Sequence, residues 1–133
     1  MSQAWIDSLR EGYEAFNAGD IVRVLEQFGA GFSGRERPDS PEARSFEGDT
    51  AALDALRTLH SEFDDYRFEP QGFDVVGNHV IASLRQSGRG RISGIPIDGD
   101  IVHVWEIGED DRARSLRAFS TKDEALAALD GAP

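Results

Sequence analysis

The sequence predicts a single α+β domain, and three features predict it. Helical periodicity dominates residues 5–63 outside one Gly-rich stretch, strand periodicity takes over from residue 66, and the strand Asp98–Ile107 is apolar on both faces. Helices first and an antiparallel meander afterwards is an α+β order, not the strict alternation of a parallel sheet. At 133 residues the chain can bury one core but not two.

The first helix carries Trp5, Leu9, Tyr13 and Phe16 at near-helical spacing, and Asn17-Ala18-Gly19 stops it. Asp20 then caps a second helix whose apolar face is Ile21, Val24, Leu25 and Phe28. Gly29–Gly48, rich in Gly, Pro, Ser, Arg and Glu, predicts a long loop with at most a short strand. Asp49 is placed to cap a third helix, with Leu53, Leu56, His60 and Phe63 along one face. Tyr66–Val76, His79–Ile92, Asp98–Ile107 and Arg112–Ser120 are predicted strands, joined at Gly77-Asn78, Gly94-Ile95-Pro96 and Gly108–Asp111. Thr121 and Glu124 form a capping box for a last helix bearing Ala125, Leu126 and Leu129.

In Asp98–Ile107, the residues Ile101, His103, Trp105 and Ile107 share one face, while Val102 and Val104 share the other. A sheet with one wet face alternates more cleanly than this. The chain offers few helices to cover the second face, so the expected cover is a partner subunit: a homodimer through the outer face of the sheet.

Composition excludes several classes. A net charge of −11 and a pI near 4.6 argue against nucleic acid, whose binding neutralises phosphates with clustered Lys and Arg, and against anionic membranes. No run approaches a membrane span, and Met1–Arg10 has neither the basic start nor the apolar stretch of a signal peptide. There are no cysteines, hence no disulfides and no thiolate metal site. These features predict a cytoplasmic protein. The three histidines, at 60, 79 and 103, follow no recognised ligand spacing, so neither a metal nor a cofactor is expected.

Several stretches resemble a known group. Tyr13-Glu14-Ala15-Phe16-Asn17-Ala18-Gly19-Asp20 resembles the first-helix exit of nuclear-transport-factor-2-like proteins, especially the ketosteroid isomerase and SnoaL-like branches. Gly94-Ile95-Pro96-Ile97, His103-Val104-Trp105 and Ser115-Leu116-Arg117-Ala118-Phe119 resemble the late strands of the same group. The resemblance implies a cone-shaped roll: a curved antiparallel sheet packed against N-terminal helices around a central pocket. In ketosteroid isomerases that pocket holds a carboxylate base, with a tyrosine and a protonated aspartic acid as the oxyanion hole. Counted without gaps from Arg117, the aspartate's position falls on His103. Counted from Asp20, the base falls on Glu36. The tyrosine's position falls on Gly12, and Tyr13 beside it should point about 100° away around the helix.

The residues leave two readings at most positions. His103 is either a cavity-facing polar group or a core histidine satisfied by its neighbours; Glu36 is a catalytic carboxylate or a solvated loop charge. His60 lines the pocket or simply packs on its helix, and His79 belongs to a hairpin. Arg85, Arg89 and Arg91 form either a basic mouth or a solvated edge, while Asp98 and Asp100 face solvent around Gly99. Tyr13, Phe16, Phe63, Ile101, Trp105 and Phe119 are the remaining expected pocket walls. The functional expectation is a pocket for a small, mostly apolar organic ligand. It serves either a cofactor-free isomerase, cyclase or hydratase working by proton transfer, or a ligand-binding or dimerisation module without turnover.

Overall fold

Leu9, Tyr13 and Phe16 line up along helix α1 (Ser2–Asn17), and all three are buried. The helix stops where Gly19 takes a φ of 81°, a conformation side chains resist. The Gly19 amide donates to the Phe16 carbonyl and the Asp20 amide to that of Ala15, the paired bonds of a Schellman cap. Asp20 also caps the short helix α2 (Ile21–Leu25), its Oδ1 accepting from the Arg23 amide at 3.2 Å. These details come from a computed structural model that describes residues 2–35 and 45–130.

The stretch expected to be a loop begins with a strand, β1 (Phe28–Arg35), and ends with another, β2 (Ser45–Glu47). Its glycines signal a loop by composition but serve the strand here. A Cβ on Gly29 would stand 3.2 Å from Asp110 Oδ2 and 3.5 Å from the Ala113 carbonyl, and Gly31 has a φ of 72°. Helix α3 (Gly48–Glu62) starts one residue before the expected cap Asp49; Glu47 holds the cap position and makes no side-chain capping bond.

The meander follows as β3 (Phe63–Val76), β4 (His79–Gly90), β5 (Pro96–Ile107) and β6 (Ala113–Phe119). The strand order is β2-β1-β6-β5-β4-β3. Pairing is antiparallel except at β1–β6, which is parallel, so the sheet is mixed where the sequence predicts a purely antiparallel one. Register shifts in β1 and β3 bend these strands, and the sheet curls into a half-barrel. The expected α+β cone is the observed fold.

The inner face carries the larger apolar cluster, packed against α1, α2 and α3. The outer face carries Ile81, Val102, Val104 and Phe119 beneath helix α4 (Lys122–Asp130), which contributes Ala125, Leu126 and Leu129. Thr121 Oγ1 accepts from the Glu124 amide at 3.2 Å, as the capping box requires. This arrangement corrects the premise of the dimer expectation. Val102 and Val104 are 5% and 1% exposed within one chain, because the last helix folds back over them.

Candidate functional site

The curl of the sheet and the three N-terminal helices enclose a cavity of about 820 Å³. That is within the range that holds a drug-sized molecule. Odd-numbered residues of β5 and even-numbered residues of β4 face it: Ile101, His103 and Trp105 from one strand, Gln86 from the other. From α1 come Tyr13 and Phe16; from β1 come Phe28 and Phe32, with stacked rings 3.9 Å apart. Phe63, Tyr66 and Phe68 extend the aromatic wall along β3.

Three buried polar groups meet in the deep part of this wall. Trp105 Nε1 donates to Tyr13 Oη at 2.9 Å, and Tyr13 Oη lies 2.8 Å from His103 Nδ1. The indole nitrogen can only donate, so the tyrosine oxygen accepts there; its own proton goes to Nδ1 in one tautomer of His103, and in the other the phenol oxygen accepts from both rings. In the first tautomer Nδ1 is the acceptor and Nε2 carries the hydrogen. Nothing in the described residues accepts from Nε2, yet no buried side-chain nitrogen or oxygen among them is sealed without a partner. Nε2 is thus open to the cavity that His103 lines.

Burial governs the protonation state. His103 is 5% exposed, and desolvation pushes its pKa from 6.5 down to about 3. Tyr13 is pushed well above its ordinary range by desolvation, with the Trp105 hydrogen bond opposing in part. At neutral pH the pair is an uncharged imidazole and an uncharged phenol. Phe68 stands edge-on to the imidazole at 4.9 Å, which keeps the surroundings apolar.

The residues expected from the sequence separate into groups. Tyr13, Phe16, Phe63, Ile101, His103 and Trp105 converge on the cavity. Tyr13 does so despite its offset from the position the resemblance indicates, by meeting His103 directly. His60 lies outside the lining: its Nε2 donates to the Phe16 carbonyl at 2.9 Å and its ring packs on that of Phe16 at 4.5 Å, tying α3 to the end of α1. Phe119 is on the opposite face, under α4, because Ala118 is the residue paired with His103. Glu36 lies outside the described residues. Carboxylates do border the cavity, Asp54 and Glu62 on α3, but both are exposed.

Arg85, Arg89 and Arg91 do not reach the cavity either. Arg85 holds Asp98 through two bonds of 2.9 Å, which keeps that carboxyl below its ordinary range, while Arg91 pairs with Asp64 and Arg89 donates to the Gly94 carbonyl. Among the described residues no cluster of His, Asp and Glu is placed to hold a metal ion, and no helix is long and apolar enough to cross a membrane. Sequence reasoning missed Phe28 and Gln86. Phe28 was assigned to a helix, but Gln86 was legible, since it shares parity with the apolar Ala82 and Leu84.

A curled sheet closed by three helices around such a cavity is the nuclear-transport-factor-2-like α+β cone. The family model described as a SnoaL-like domain matches residues 9–116, and the chain belongs to that family. No curated protein sequence matches it. Among solved structures it is similar to Bal32a from a soil-derived mobile gene cassette (TM-score 0.78, 21% identity, 87% of this chain and 88% of that one). It is also similar to an NTF2-like protein of Burkholderia thailandensis E264 (TM-score 0.76, 22% identity, 96% of each). A third is SalBIII, an epoxide hydrolase/cyclase-like enzyme of pyran ring formation in salinomycin (TM-score 0.75, 17% identity, 92% and 94%).

Proposed function

We propose that the cavity binds a small, mostly apolar organic molecule through a carbonyl or ether oxygen, and catalyses a proton-transfer reaction of the isomerase, cyclase or hydratase type. The observation that carries this is the Trp105–Tyr13–His103 chain, which, with Nδ1 accepting from Tyr13, presents the Nε2–H of a neutral imidazole to an apolar interior. An imidazole with a pKa of about 3 is too weak a base to hold a substrate proton at pH 7. It is well suited to donating a hydrogen bond to an oxygen that gains negative charge, as neutral histidines do elsewhere. Tyr13 then positions His103, and Trp105 positions Tyr13.

Asp54 and Glu62 border the cavity but are exposed, and this favours a second reading, a binding module without turnover. Deuterium exchange α to the carbonyl of 2-tetralone, followed by NMR in D2O, separates the two. The enzyme reading expects exchange faster than buffer, and His103→Phe should slow it by about 10²-fold, the effect of losing one oxyanion donor. Saturable binding with exchange at the buffer rate would leave only the module.

A further inference from the structure

We infer that Gln86 is a second polar anchor in the same cavity, so that the preferred ligand is an elongated neutral molecule with an oxygen acceptor toward each end. This deepens the reading of His103 as one oxygen's donor and rests on it. Gln86 is half-buried in the lining, and Tyr66 Oη donates to its Oε1 at 2.8 Å. That bond orients the carboxamide and leaves its Nε2 hydrogens, which meet no acceptor among the described residues, to a ligand.

The sheet sets the spacing. His103 pairs with Ala82, and Gln86 pairs with Gly99, four residues from His103 along β5. Four steps amount to about 13 Å of strand, and the curl of the sheet brings the side-chain ends closer. Between the two donors the lining is Ile101 and Phe68, with no polar side chain from β5. Gly99, opposite Gln86, places no side chain there, and the next β5 residue in the lining is the apolar Ile97. The result is two donors separated by an apolar stretch, which matches two acceptors on a rigid apolar frame. The exposed charges of the lining are Asp54, Glu62 and Arg35, an acidic excess of one, and the chain carries a net charge of −11, so a neutral ligand fits better than a carboxylate.

The test compares 2-acetylnaphthalene with 2,6-diacetylnaphthalene, and 4-acetylbiphenyl with 4,4'-diacetylbiphenyl, by quenching of tryptophan fluorescence. In at least one pair the diketone should bind about tenfold more tightly, the effect of one added hydrogen bond. Gln86→Leu should remove that gain and leave the monoketone unchanged. Gln86→Glu, which still accepts from Tyr66 but cannot donate, should do the same and guards against a folding defect. His103→Phe should weaken all four ketones. If His103→Phe weakens them while Gln86→Leu and Gln86→Glu leave the diketone gain intact, or no gain exists, Gln86 is no anchor although the His103 reading stands. If no ketone responds to His103→Phe, both ideas fall together.

Discussion

His103 owes its state to its neighbours and to burial, and both make predictions. Folded, the imidazole takes a proton only near pH 3; unfolded, it does so near 6.5. Between those values the unfolded chain binds more protons, so stability rises with pH, by at most about 1.4 kcal/mol per unit. The contribution is fully present above about pH 6.5 and is lost as the pH falls toward 3. Urea unfolding at pH 7 and pH 5 should show this slope in the wild type and a shallower one in His103→Phe; equal slopes would place the ring in solvent. Tyr13→Phe removes the atom joining two buried groups. Trp105 Nε1–H and His103 Nδ1 then both lose their partner, and a loss of about 1–3 kcal/mol is expected by urea denaturation. A Tyr13→Phe variant as stable as the wild type would remove the hydrogen-bond chain from the account.

At the scale of elements, α4 has the clearest task. It is a short helix whose apolar side, Ala125 with Leu126 and Leu129, closes the outer face over Ile81, Val102 and Val104. Ala125 is fully buried, so Ala125→Asp would set an unpaired carboxylate against that face. The variant is expected to release the helix, to bind an apolar dye such as ANS, and to self-associate in light scattering. Normal stability with no dye binding would mean that α4 is dispensable cover. The capped ends of α1 and α2 are of a different kind. They fix the turn that aims Tyr13 and Phe16 inward, so a local backbone motif determines where the site's phenol stands.

For the whole molecule, the charge and the outer face decide how it meets others. Beyond α4 the outer face presents charged rows, with Arg85 between Asp98 at 2.9 Å and Asp100 at 3.7 Å, instead of bare valines. These ion pairs lie within one chain, and a homodimer through this face would have to cover them. Light scattering at micromolar concentration would read about twice the 14.6 kDa chain mass if that dimer forms, and one chain if α4 and the charged rows leave the face unpartnered. A one-chain mass would remove the dimer.

The sequence by itself determined the α+β class, the helix caps at Asp20 and Thr121, the strand meander and the two apolar faces of β5, because each follows from local periodicity or local capping chemistry. It also placed His103 among apolar neighbours. Only the tertiary structure decided what those faces touch. Gly29 looks like a loop residue until β6 lies alongside and needs the close approach. Phe119 and Ala118 are equally apolar neighbours in sequence, and only the register with His103 sends one inward and the other under α4. Tyr13 and His103 stand 90 residues apart, and no pattern along the chain joins them. Their bond exists because a helix end and a curled strand arrive at one point, a long-range property that periodicity does not encode.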